Sequence, residues 1–250
     1  MRMGTSISPA VLLRLLTWFS PAFPTGAFGF SHGLETAIRD GRAGDVERLS
    51  GWISDLLEFG SGWTDAVLFK LAWAAQSGSG PADLAELAEL GAALAPSLER
   101  RRETLQLGQA FLKAVGPWLA ASPIGEGEGS RSCDFPAPPG AGASQAAEGA
   151  QLAPYPVAAG WACAAAGVPL SPALAAFLHA FAANLVSVAT RAVPLGQTAG
   201  VAVMAALEPL VAKTAARAVS AEPDDLGGCA LLSDIAAMRH ETLPGRLFLS

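Results

Sequence analysis

Apolar residues in this chain recur every three to four positions, and nowhere does a useful stretch alternate apolar with polar at a period of two. That pattern dictates helices, because a 3.6-residue period lines one face of a helix while a half-buried strand needs alternation. The clearest case follows Asp45, a plausible N-cap. Leu49, Trp52, Ile53, Leu56 and Leu57 fall at i, i+3, i+4, i+7 and i+8, and Gly60 supplies a stop. An earlier helix carries Val11, Leu12, Leu15, Leu16 and Phe19 behind Pro9 and ends before Pro21.

Further helices are predicted from Thr64 through Ala75, from Pro81 through Leu94, and from Ser97 to about Leu119. After residue 154 one begins at Pro156 and ends near Gly167. Another takes Ser171 and Pro172 as its N-cap and first position and reaches Arg191. Beyond the turn at Pro194 and Gly196, Thr198 to about Ala221 reads as a further helix, and Leu231–Met238 as a short one. No Asn-Gly hairpin and no internal repeat is evident. The expectation is an all-α, single-domain bundle of about eight to ten helices over residues 1–238.

Two segments depart from this pattern. Residues 122–154 turn to Gly, Pro, Ala and Ser, a composition unable to bury enough apolar surface to offset its ordering entropy, which predicts a mobile insertion. Residues 239–250 combine Arg239, Arg246, Leu247 and Phe248 with little helical propensity, which predicts a tail that either frays or docks.

Composition narrows the function. With 51% hydrophobic and 15% charged residues the chain is globular, and 7% aromatics leave its apolar mass to Ala and Leu, which are strong helix formers. A net charge of -6 and a pI near 5.1 oppose a phosphate backbone, so no nucleic-acid partner is expected. Cys133, Cys163 and Cys229 are too scattered for a disulfide framework or a C-x-x-C pair, which predicts a reducing, cytoplasmic setting. Arg14 interrupts the apolar start and no A-x-A site follows it, unlike a signal peptide. The longest apolar stretch, Ala173–Ala189, carries His179 and Asn184 and falls at or below the length needed to span a bilayer, so no membrane role is expected. His179 is expected to be a hydrogen-bonded core residue.

Several motifs suggest chemistry. Gly29-Phe30-Ser31-His32-Gly33 matches the G-x-S-x-G nucleophile elbow, which would make Ser31 a hydrolase nucleophile, yet two prolines stand where the preceding central strand should run. The alternative is a glycine-rich turn entering a helix near Ser31, with His32 and Glu35 as i, i+3 neighbours on one face. With His240 that pair would give a small helical metal carrier, although one His and one Glu alone leave ligands missing. His240-Glu241 opens an H-E dipeptide, but Leu243 and Pro244 stand where a zincin needs a second His. Arg100, Arg101 and Arg102 are either a phosphate or carboxylate grip or a solvated helix face. Gly108 marks a weak point or a close helix approach.

Taken together, these residues resemble one family. The stretch from Ser20 to Glu35, SPAFPTGAFGFSHGLE, is similar to the opening signature of the urease accessory protein UreF family. Trp52–Asp65 resembles its next helix pair. Arg102-Glu103-Thr104 with Gly108 resembles its mid-chain element, VPLGQTAG (Val193–Gly200) its P-L-G-Q turn, and RHETLPGRLF its final tail. Leu243-Pro244-Gly245 stands where Q-Y-S is usual, and Leu249 where a basic residue is common, and the proline restricts the backbone there.

The resemblance implies a non-catalytic adaptor that dimerises, binds UreD/UreH, recruits the GTPase UreG and passes nickel to apo-urease. It implies no stably bound cofactor and no metal ligands of its own, the nickel being handled by the complex. The expected contacts to UreD/UreH are Arg239, His240, Glu241, Arg246, Leu247 and Phe248. Gly26, Phe28, His32, Glu35, Arg102, Glu103, Gly108, Gly196 and Gln197 are expected to serve the motif turns or an interface.

Overall fold

The computed structural model describes residues 7–80, 82–120 and 153–250, and among them every regular element is helical. In chain order these are α1 (Pro9–Trp18), α2 (Leu34–Arg39), α3 (Val46–Phe59), α4 (Ser61–Ser77), α5 (Leu84–Ala93) and α6 (Leu98–Ala120). After the undescribed segment come α7 (Tyr155–Ala165), α8 (Leu170–Ala192), α9 (Gln197–Val219) and α10 (Leu231–His240). Short 3-10 turns cover Ala27–Gly29 and Pro223–Asp225. The all-α expectation therefore holds. Of the predicted insertion, 122–152 lies outside the described residues, as does Pro81, while Ala153 and Pro154 are buried and belong to the body.

Local chemistry sets most helix ends. Ser8 caps α1 by accepting from the Val11 amide at 3.3 Å, with Pro9 in the first turn. Asp45 caps α3 through the Arg48 amide at 2.8 Å, and the stripe from Leu49 to Leu57 is buried as its spacing required. Other starts differ from the sequence reading. α4 begins at Ser61, directly after Gly60, and Thr64 turns its hydroxyl back to the Gly60 carbonyl instead of capping. α8 begins at Leu170, which puts Pro172 at the third position, where its missing N–H is still one of the unpaired first-turn donors. Pro209 interrupts α9 on an exposed face, so water can take the carbonyl it strands.

α4 and α7 form the centre of the body, with α6 against α7 and the α8–α9 pair alongside. Two glycines permit the closest approaches: a Cβ on Gly160 would collide with the Phe69 carbonyl, and one on Gly108 with the Ala153 carbonyl. Trp18, Trp161, Phe69 and Phe111 are fully buried, and each such ring contributes roughly 2 to 3 kcal/mol of burial. α8 and α9 are long and apolar enough to cross a membrane, but α8 buries Leu174, Phe177, Leu178 and Leu185 in this core. His179 points outward from α8 and is exposed, because the helical period sets it opposite that buried face. Leu12, Leu13 and Leu16 of α1 are also exposed, with Leu15 and Trp18 turned inward.

Candidate functional site

The predicted tail is folded onto the body. α10 runs on to His240, and residues 241–250 then cross α2 and the first turn of α6. Of the two outcomes expected for this tail, the docked one is present here, because a set of carboxylates on α2 and α6 collects its donors.

Glu35, 2% exposed in the first turn of α2, is the main anchor. It accepts from the amides of Leu247 at 2.9 Å and Phe248 at 3.0 Å, and from Arg39 at 2.7 Å. His240 Nε2 lies 3.3 Å from its Oε2. Burial raises the Glu35 pKa, but the Leu247 amide, His240, the Phe248 amide and Arg39 together outweigh it and leave the carboxyl below its ordinary range. His240 Nδ1 sits 2.7 Å from Glu99 of α6, which also pairs with Arg246.

Backbone contacts finish the clasp. Leu249 donates to the Gly29 carbonyl at 2.8 Å and the Ser31 amide to the Ser250 carbonyl at 2.7 Å. Arg39 donates to the carbonyls of Pro244 and Gly245, both at 2.7 Å. Arg191 of α8 holds the Phe28 carbonyl at 2.8 Å and lies over the Phe248 ring, 4.7 Å from its centre. Glu241 accepts from the first amides of α6, Leu98 at 2.8 Å and Glu99 at 3.4 Å, and so caps a helix 143 residues earlier in the chain.

Beside the clasp lies a second buried charge cluster. Glu103 of α6, 1% exposed, pairs with Arg100 and with His32 Nε2 at 2.9 Å, and it accepts from the Ser250 hydroxyl. Burial raises its pKa, but Arg100 and His32 reverse this and bring it down to about 2. His32 is held below its usual value by burial and by the Arg100 charge, against the opposing pull of Glu103.

The expected pairing of His32 with Glu35 does not form. α2 starts at Leu34, and His32 precedes it with φ +53, a left-handed conformation rare outside glycine. His32 therefore faces Glu103 while Glu35 faces His240, so the carrier's three proposed ligands are divided between two ion-pair clusters. Gly33, at φ +75, admits α10 so closely that a Cβ would come within 2.6 Å of the Ala237 amide nitrogen. Ser31 is fully buried and donates its hydroxyl to the Ser250 carbonyl, and no strand precedes it among the described residues. The G-x-S-x-G match is thus a turn and not an elbow.

The remaining predicted residues are spread out. Gly26 is left-handed at φ +81 in the turn before Ala27, and Phe28 is 66% exposed. Of the arginine run, Arg100 turns inward while Arg101 and Arg102 stay exposed, and Gly196 and Gln197 are exposed at the start of α9. In the tail His240 and Phe248 are buried, whereas Arg239, which pairs with Asp40 at 2.6 Å, and Glu241, Arg246 and Leu247 are exposed. Sequence reasoning missed Arg39, Glu99, Arg191 and Ser250, none of which lies in a motif; only the family-like spacing of the tail hinted at their use.

The chain's sequence matches the family model described as UreF over residues 43–208. It is 44% identical over 247 residues to a urease accessory protein UreF of Mesorhizobium japonicum, across 97% of this chain and 98% of that one. The UreF of Agrobacterium fabrum is 44% identical over 252 residues, covering 99% and 100% of the two chains. That of Cereibacter sphaeroides is 48% identical over 239 residues, covering 96% and 98%.

Proposed function

Because this chain belongs to the UreF family of urease accessory proteins, we propose that it is a non-catalytic cytoplasmic adaptor which bridges UreD/UreH and the GTPase UreG so that nickel reaches apo-urease. The observation that carries this reading is the docked tail. Buried Glu35 fixes its backbone amides, half-buried Glu99 holds its His240 and Arg246 side chains and buried Glu103 its Ser250 hydroxyl, while Leu247 and Leu249 stand out at 71% and 62% exposure. The outer face of α10 adds exposed Leu231, Leu232, Ile235 and Met238. A tail pinned from beneath offers its outward leucines already ordered, which lowers the entropy lost when a partner covers them.

In this reading Arg239, Glu241, Arg246 and Leu247 meet UreD/UreH directly, and His240 and Phe248 hold the tail in the shape that is recognised. The chain works by binding energy, as a homodimer that keeps two partners in register while GTP is hydrolysed elsewhere. Nickel is cargo of the assembly. Co-expression with UreD/UreH and UreG followed by size-exclusion chromatography is expected to give a joint complex. The double variant Leu247→Asp, Leu249→Asp is expected to fold yet fail to co-elute with UreD/UreH. Wild-type co-elution of that variant would refute the assignment.

A further inference from the structure

A cavity of about 150 Å³ opens between α1, α6 and α8, beside the clasp, which shares Glu103 with it through the Ser250 hydroxyl. Its walls are aromatic, with Trp18, Phe19, Phe28, Phe177 and Phe181 all contributing. Its polar end is Asp65 of α4, with Arg100, Glu103 and His32. The volume equals that of a cavity able to take a single benzene ring. His32, which lines the cavity, holds its Nε2 against Glu103, and its buried Nδ1 has no hydrogen-bond partner among the described residues, which leaves that nitrogen as an acceptor for an N–H donor.

The charges on the wall set the kind of occupant it suits. Arg100 is committed to Glu103, and Glu103 is shared by Arg100, His32 and Ser250. Asp65 makes no hydrogen bond and no ion pair with any described residue, although it lines both this cavity and a smaller one beyond it that Asp234 also reaches. Among the described residues of the wall, the charge left without a partner is thus a carboxylate, and aromatic side chains, a kind of surface that attracts cations, line the same cavity.

We propose that this cavity binds a small organic ammonium cation, its charge against Asp65 and its apolar body, about one six-membered ring in size, among the aromatic side chains. This site goes beyond the adaptor role and does not depend on it. The groups facing Asp65 are Arg100 and Glu103 of α6, His32, Tyr155 of α7 and, from the adjoining cavity, Asp234 of α10. Burial pushes the Asp65 carboxyl up to about 7, against the pull of Arg100, so a cation has to compete with a proton there.

The probe is benzylammonium, with benzyl alcohol as its neutral counterpart, titrated calorimetrically into the full chain at about pH 8. Benzylammonium is expected to bind about tenfold tighter than the alcohol, and Asp65→Asn to abolish that preference while leaving the helical circular dichroism intact. Affinity for benzylammonium is expected to fall between about pH 8 and pH 6 in the native chain and to stay level in Asp65→Asn. Should Asp65→Asn not fold, Phe181→Leu, which removes one ring face, is expected to weaken benzylammonium more than benzyl alcohol. Equal binding of the two probes, an Asp65→Asn protein that keeps the preference, or no binding of benzylammonium at millimolar concentration would each overturn the proposal.

Discussion

Glu35 and His240, 205 positions apart in the chain, face each other at 3.3 Å in the interior, both at or below 2% exposure. The contact joins α2 to the end of α10 and is the pivot on which residues 241–250 turn back over the body.

Removing the carboxylate is therefore expected to release the tail and leave the bundle standing. Glu35→Ala strips the Leu247 and Phe248 amides of their acceptor and Arg39 and His240 of theirs. A loss of roughly 3 kcal/mol is expected, since one buried charged partner is withdrawn from several donors. Hydrogen exchange at Leu247 and Phe248 reads it, with protection lost there and kept at Phe69.

Phe248 and Leu247 are neighbours with opposite exposures, 5% and 71%. Phe248→Ala is expected to destabilise the docked tail by about 3 kcal/mol, while Leu247→Ala shifts the urea midpoint negligibly. Partner capture is expected to suffer in both, through undocking in the first and a missing contact in the second.

Acid is expected to loosen this region before the rest of the core. The folded pKa values of Glu35 and Glu103 are depressed, so their contributions are fully present above the unfolded carboxylate value of about 4.3 and fade as pH falls through the folded values. For Glu103, depressed to about 2, the linked contribution is on the order of 3 kcal/mol and is lost between about pH 5 and pH 2. His32 acts in the same direction: its folded pKa is lowered, and its contribution fades as pH drops below about 6.5. Urea unfolding at a series of pH values checks the slope, and Glu103→Gln is expected to flatten it.

Gly108→Ala is expected to cost more than the usual glycine substitution in a helix, which is often favourable. The new methyl meets the Ala153 carbonyl, a backbone atom unable to rotate away. A loss of about 2 kcal/mol or more is expected by chemical denaturation, against a gain of about 0.5 to 1 kcal/mol for Gly51→Ala, where space is open.

The helices were legible because their causes are local: the Asp45 cap, the Leu49–Leu57 stripe and the Gly60 stop all lie within one window. The clasp was not, because the tail donors that Glu35, Glu99 and Glu103 collect lie more than 140 positions away from them. His32 misled for a different reason. Spacing places it on a helix with Glu35, but its left-handed φ and the late start at Leu34 send the two side chains to separate clusters. The arginine run looked uniform as a string, and only packing turned Arg100 inward. The tail's apolar and basic residues marked it as a docking element, and what the pattern lacked was the surface that receives it.

Glu241 closes the open end of α6, whose first turns carry Glu99, Arg100 and Glu103. Any partner that lifts the tail must also uncap that helix and slacken the charges at the mouth of the aromatic chamber. By thermodynamic reciprocity, whatever settles into that chamber and steadies α6 makes the tail harder to peel away by the same factor, so two adjoining surfaces answer to one hinge.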